Sequence, residues 1–90
     1  MPFLGRPQPN PVRKELLIEF GLPKEGPIAV EVFDVMGRHV RTLFKASQHA
    51  GVYQLHWDLL DDAGGRVAAG MYYLRFTHDR SHVQRVVVFE

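Results

Sequence analysis

Val30-Glu31-Val32-Phe33-Asp34-Val35-Met36-Gly37-Arg38-His39-Val40-Arg41-Thr42-Leu43 decides the fold. Its first half continues a two-residue alternation begun at Ile28, so Ile28, Val30 and Val32 leave one face of an extended chain. Met36-Gly37 interrupts the pattern as a turn does, because glycine reaches backbone angles closed to other residues. Beyond it, Val40 to Ala46 carries apolar residues at spacings that would also suit a short helix. A lone helix is out of keeping with everything around it. The stretch is read as a second strand.

The same alternation recurs on both sides. Leu16, Ile18 and Phe20 alternate, as do Tyr53, Leu55 and Trp57, and then Tyr72, Leu74 and Phe76. Turn signals separate these runs at 21–27, 50–51, 61–65 and 78–81. The final stretch, Val83 to Phe89, is apolar on both faces, which fits a strand covered twice or one awaiting a partner. These features predict an all-β, largely antiparallel β-sandwich of about six or seven strands. Upstream, Pro7, Pro9 and Pro11 favour an extended, hydrogen-bond-poor chain, so residues 1–11 are read as a linker and 12–90 as the domain.

Composition narrows the function. Ninety residues make one small domain, with room for a core but hardly for a deep cleft as well. Eleven Lys and Arg against ten Asp and Glu leave a net charge of +1, without the basic excess of a nucleic-acid binder. No cysteine is present, which excludes disulfides and thiolate metal sites. No apolar run is long enough for a membrane helix, so membrane insertion is not expected. The start, Met1 to Arg6, lacks the apolar stretch of a signal peptide, which predicts an intracellular protein or a piece of a longer exported one.

Several clusters invite a chemical reading. Asp58, Asp61 and Asp62 form an acidic group that could hold calcium, yet Leu59 and Leu60 break the spacing of a calcium loop. Caps on a tight glycine-bearing turn explain them better. His78 and His82 flank Asp79 without an obvious third metal ligand, and His39, His49 and His56 share no spacing. Arg38, His39, Arg41 and Lys45 form the densest basic patch, read as a solvated strand edge. Ser47 and Ser81 lie in no nucleophile motif, and no phosphate-binding glycine loop occurs. Tyr53, Leu55 and Trp57 are expected in the core, leaving Tyr73 as the one candidate exposed ring for stacking on a sugar. No cofactor is expected.

Taken together, the motifs are recognisable. They are Pro9-Asn10-Pro11, Phe20-Gly21-Leu22-Pro23, the stretch from Val30 to Leu43, Ala50 to Asp58, Asp61-Asp62-Ala63-Gly64 and Gly70 to Arg75. This series resembles the Ig-like domain of flagellar hook-capping proteins and the C-terminal sorting domains of type IX secretion. The resemblance runs from about Pro9 to Glu90. It implies an Ig-like sandwich in which Asp34, Gly37, Gly51, Trp57, Gly70 and Tyr72 are structural motif residues. It also implies a non-catalytic C-terminal module that directs secretion of a larger exported protein, often a hydrolase, and holds it at the cell surface. The partner would then be a secretion or outer-membrane surface protein, docking through Val83, Val86, Val87, Val88 and Phe89 on the last strand. A structural spacer or hook-cap-type assembly domain is the alternative, and a carbohydrate-binding module a further one.

Overall fold

The computed structural model describes residues 3–89, so Met1, Pro2 and Glu90 lie outside the described residues. Seven strands follow in chain order: β1 Phe3–Leu4, β2 Leu16–Leu22, β3 Gly26–Asp34, β4 His39–Gln48, β5 Gly51–Trp57, β6 Gly70–His78 and β7 Arg80–Val88. They form two antiparallel sheets, ordered β1-β2-β5 and β4-β3-β6-β7, with no helix among the described residues. The protein is an all-β, Ig-like sandwich.

Alternation builds the core. Leu16, Ile18 and Phe20 of β2 face Ile28, Val30 and Val32 of β3 together with Leu74 and Phe76 of β6, all buried. Phe20 packs its ring on Tyr53 and on Phe76, with centroids 5.4 and 5.2 Å away. Trp57 closes the other end of the sandwich. It is 0% exposed, meets Tyr72 edge-on at 5.8 Å, and donates its indole N–H to Leu60 O at 3.0 Å. Burying such a side chain contributes about 1.5–3 kcal/mol, so these few aromatics carry a large share of the stability.

The helix-like spacing in β4 has a structural cause. Val30 pairs with Phe44, Glu31 with Thr42, Val32 with Arg41 and Phe33 with His39, so the register slips twice. Leu43 and Val40 are the extra residues at these bulges, and both pack against the core beside Phe44. A bulge inserts one residue and resets the two-residue period. Apolar side chains three and four apart can then share one face of a strand.

The proline-rich segment differs from its reading as a linker. Phe3 and Leu4 pair with Gly21 and Phe20, and Gly5 N–H donates to Glu19 O at 2.8 Å. Gln8 exchanges main-chain bonds with Leu17, and Val12 is wholly buried. Gly21 lets the Phe3 ring lie against β2, since a Cβ there would push that ring aside. The segment first runs along β2 and then crosses to β7, where Val12 bridges Val88 in parallel. It is the sandwich's first strand, split between the two sheets.

Candidate functional site

The acidic residues after β5 serve their own loop. Asp58 Oδ1 accepts from the Leu60 amide at 3.1 Å and from Arg41 Nη1 at 2.9 Å. Asp61 Oδ1 accepts the Ala63 and Gly65 amides at 3.0 and 2.9 Å, and Asp62 Oδ1 takes the Thr42 amide at 3.1 Å. Leu59 pins the loop by its complete burial, at a φ of 64° that a leucine rarely adopts. Partial burial raises the Asp58 carboxyl, but the Leu60 amide and the Arg41 guanidinium outweigh it and leave the group below 3.8. No three metal-ligating side chains converge among the described residues. The three carboxylates are turned toward amides and Arg41 rather than toward one another.

Asp34 closes the β3–β4 turn in the same manner. Its Oδ1 accepts the Met36 and Arg38 amides, each at 2.9 Å, while Oδ2 meets Arg38 Nε at 2.9 Å. The Arg38 amide does most to hold this carboxyl below 3.8. Gly37 sits at φ 84°, a conformation costly for a side-chain-bearing residue. Gly51 and Gly70 begin β5 and β6. Tyr72 donates to Ala68 O at 2.6 Å, and burial together with the nearby Asp34 charge pushes its hydroxyl pKa above 10.0.

The basic patch is mostly neutralised. Arg38 pairs with Asp34, Arg41 with Asp58, and His39 lies 3.5 Å from both Glu31 and Asp62. Only Lys45 of the four lacks an acidic neighbour among the described residues. The open depression of about 390 Å³ between this patch, Arg66 and Tyr72 is walled by groups that already have partners. His78 is 4% exposed, with Nδ1 on Pro27 O at 3.1 Å, and His82 stacks on Phe76. Both turn into the sandwich and away from the turn surface. Ser81 Oγ meets only Thr77 Oγ1, and Tyr73 lies half-buried on the outer face of its sheet, beside Phe33 and Arg75.

The terminal strand is the site where groups remain on offer. β7 is an edge of the four-stranded sheet, and its residues divide by parity. Val86 and Val88 point into the core and are buried, so a folded domain cannot present them to a partner. Val83, Val87 and Phe89 point outward. From Arg85 onward the open edge is closed by the incoming segment. The Asn10 side chain donates to Arg85 O at 2.9 Å and accepts from the Val87 amide at 3.0 Å, as a strand's peptide group would. Val12 continues the ladder, donating to Val87 O and accepting from Phe89 N at 2.8 Å each. Arg66 Nη2 then joins Arg13 O at 2.9 Å to Phe89 O at 3.1 Å, and the Arg13 guanidinium lies 4.9 Å from the Phe89 ring centre.

Sequence reasoning missed this clasp. Asn10, Arg13 and Arg66 lie far from β7 along the chain, and none belongs to a motif whose chemistry is local. One signal was present: an asparagine held between two prolines offers a side-chain amide where the flanking residues offer no N–H.

A two-sheet sandwich with a clasped terminal edge defines an Ig-like domain. The FlgD Ig-like domain family matches residues 17–81, and the chain belongs to that family, a non-catalytic domain class. Comparison with curated proteins gave no significant match. Among solved structures, it is similar to dimeric latent PorU from Porphyromonas gingivalis, at 20% identity and a TM-score of 0.75 over 98% of this chain. It is similar also to PorZ of the same organism, a surface component of the type IX secretion system, at 22% identity and a TM-score of 0.61 over 99%. FlgD from P. aeruginosa matches at 23% identity and a TM-score of 0.58 over 81%. The chain spans 9% of PorU, 11% of PorZ and 59% of the FlgD chain.

Proposed function

We propose that this chain is a sorting and attachment module, which directs a larger exported protein through type IX secretion and holds it at the cell surface. Its work is protein docking at the terminal strand, without catalysis and without a cofactor. One observation carries the reading. The likeness to PorU and PorZ extends over 98% and 99% of the chain, so it takes in the incoming segment and β7, whereas the likeness to FlgD covers 81%. In both large relatives a matching unit occupies about a tenth of the chain, as an appended module does.

The test is transplantation. The chain is fused behind a signal peptide and a carrier enzyme and expressed in a bacterium that uses type IX secretion. Carrier activity is expected on intact cells, and the carrier alone is expected to stay in the periplasm. A fusion that folds but remains periplasmic removes the sorting role. The spacer or assembly reading, toward which the FlgD family match points, would then take its place.

A further inference from the structure

The clasp leaves half of the β7 edge uncovered. Bonds from Asn10 and Val12 go to Arg85 O, Val87 N and O, and Phe89 N, so odd-numbered residues of β7 direct their peptide groups outward. By that alternation the Ser81 and Val83 N–H and C=O groups point away from β6, and none of them bonds to the incoming segment. Such an edge is a template for an added strand.

The side chains beside it give the edge a chemical preference. Cross-strand partners share a face, so Val83 stands next to Arg75 and Glu31, and Arg85 next to Tyr73 and Phe33. Phe33, Val35, Tyr73, Arg75 and Val83 line a shallow groove of about 350 Å³ on this outer face. Val83 is 56% exposed within it. Arg75 already pairs with Glu31 at 3.1 Å and covers the Phe33 ring at 4.4 Å. Arg80 and Arg85 have no carboxylate neighbour among the described residues, and β7 itself contains no acid. An apolar valine with an unmatched arginine two positions along the same face is the complement of an apolar residue with a carboxylate two positions away.

We infer that the open half of β7, residues 80–84 with Arg85 at its border, accepts an acidic extended segment of a partner protein as an added strand. The partner's outer-facing residues pair in order, an apolar side chain on Val83 and a carboxylate two positions away on Arg85. This inference rests on the attachment reading for its biological setting, but not for its measurement.

The experiment is an NMR titration of the full chain with two short capped peptides. Both alternate threonine with an outer-face series, glutamate-valine-glutamate in one and lysine-valine-lysine in the other. The acidic peptide is expected to bind about tenfold more tightly at low salt, with amide shifts centred on Ser81 and Val83. Arg85→Glu should reverse the preference, and it leaves an exposed side chain exposed, so folding is retained. Val83→Pro should abolish binding by both. Equal binding of the two peptides, shifts centred on β4 or β5, or concentration-dependent self-association of the chain overturns the inference. A chain that fails this titration yet sorts its carrier leaves the attachment reading standing. One that passes but does not sort leaves the edge standing.

Discussion

The loop after β5 and the outer edge of β7 are both rich in polar groups, and they use them in opposite ways. In the loop, Asp58, Asp61 and Asp62 find their partners within the domain, on nearby amides and on Arg41. Along β7, the lower half is satisfied by a segment more than seventy residues upstream, and the upper half is left open. The cluster most suggestive of chemistry in the sequence is therefore the one already consumed by folding. Function is better sought where peptide groups have no partner than where charged side chains are dense.

The largest effect is expected on the loop side. Trp57→Ala removes a wholly buried ring and the indole bond that ties Leu60 to the core. It should cost ~3–5 kcal/mol in denaturant unfolding. A loss under ~1 kcal/mol would mean that the loop is held by its carboxylates alone, and the contrast drawn above would fail.

Next comes the clasp. Asn10→Ala removes two hydrogen bonds spanning the chain's ends and should cost ~1–2 kcal/mol. Hydrogen exchange adds the sharper readout. Protection should fall at Val87, whose amide bonds to Asn10, and stay unchanged at His82 and Gln84, whose amides face β6. Loss of protection along all of β7 would show one cooperative edge instead of two halves.

Asp61→Ala probes the loop alone and should cost ~1 kcal/mol, since two amides lose their acceptor but remain near water. Calcium should not raise the melting temperature of the parent chain, because these oxygens face amides. Acid provides a second probe. The Asp34 and Asp58 carboxyls lie below 3.8 when folded, so the unfolded chain takes up protons first as pH falls. Their contribution is complete above about pH 5 and is lost as pH drops through the folded values. Asp34→Asn and Asp58→Asn should each flatten that acid-side decline in melting temperature.

How much of this was legible follows from how local each cause is. The alternation in β2, β3, β5 and β6 is local, and it put Ile18, Val30, Trp57 and Phe76 each on one face of its strand; those faces form the core, with Tyr53 and Leu55 only half-buried at its margin. The β4 pattern was ambiguous because two bulges, set by pairing with β3, displaced Val40 and Leu43 from strict alternation. The prolines at 7, 9 and 11 correctly signalled missing donors but not a free linker. An irregular edge strand tolerates proline, and Asn10 supplies bonding from its side chain. For the same reason residues 3–8 belong to the fold, since Phe3, Leu4 and Gln8 pair with β2. Val83 to Phe89 looked apolar on both faces, which is true. Only pairing shows that Val86 and Val88 belong to the core while Val83 and Val87 do not.

The smallest effect is the most discriminating. Val83→Pro and Val87→Pro make the same change two residues apart on one strand. Both amides point away from β6, so neither substitution removes a bond within the sheet. At Val87 the proline eliminates the donor to Asn10 and loosens the clasp, so the cost should resemble that of Asn10→Ala. At Val83 no partner is lost, and edge positions are where sheets accept proline, so the cost should stay within about 1 kcal/mol. Paired unfolding curves measure the difference directly. If both prolines cost the same, the Val87 amide gains nothing from Asn10, and the division of β7 into a closed half and an open half is wrong.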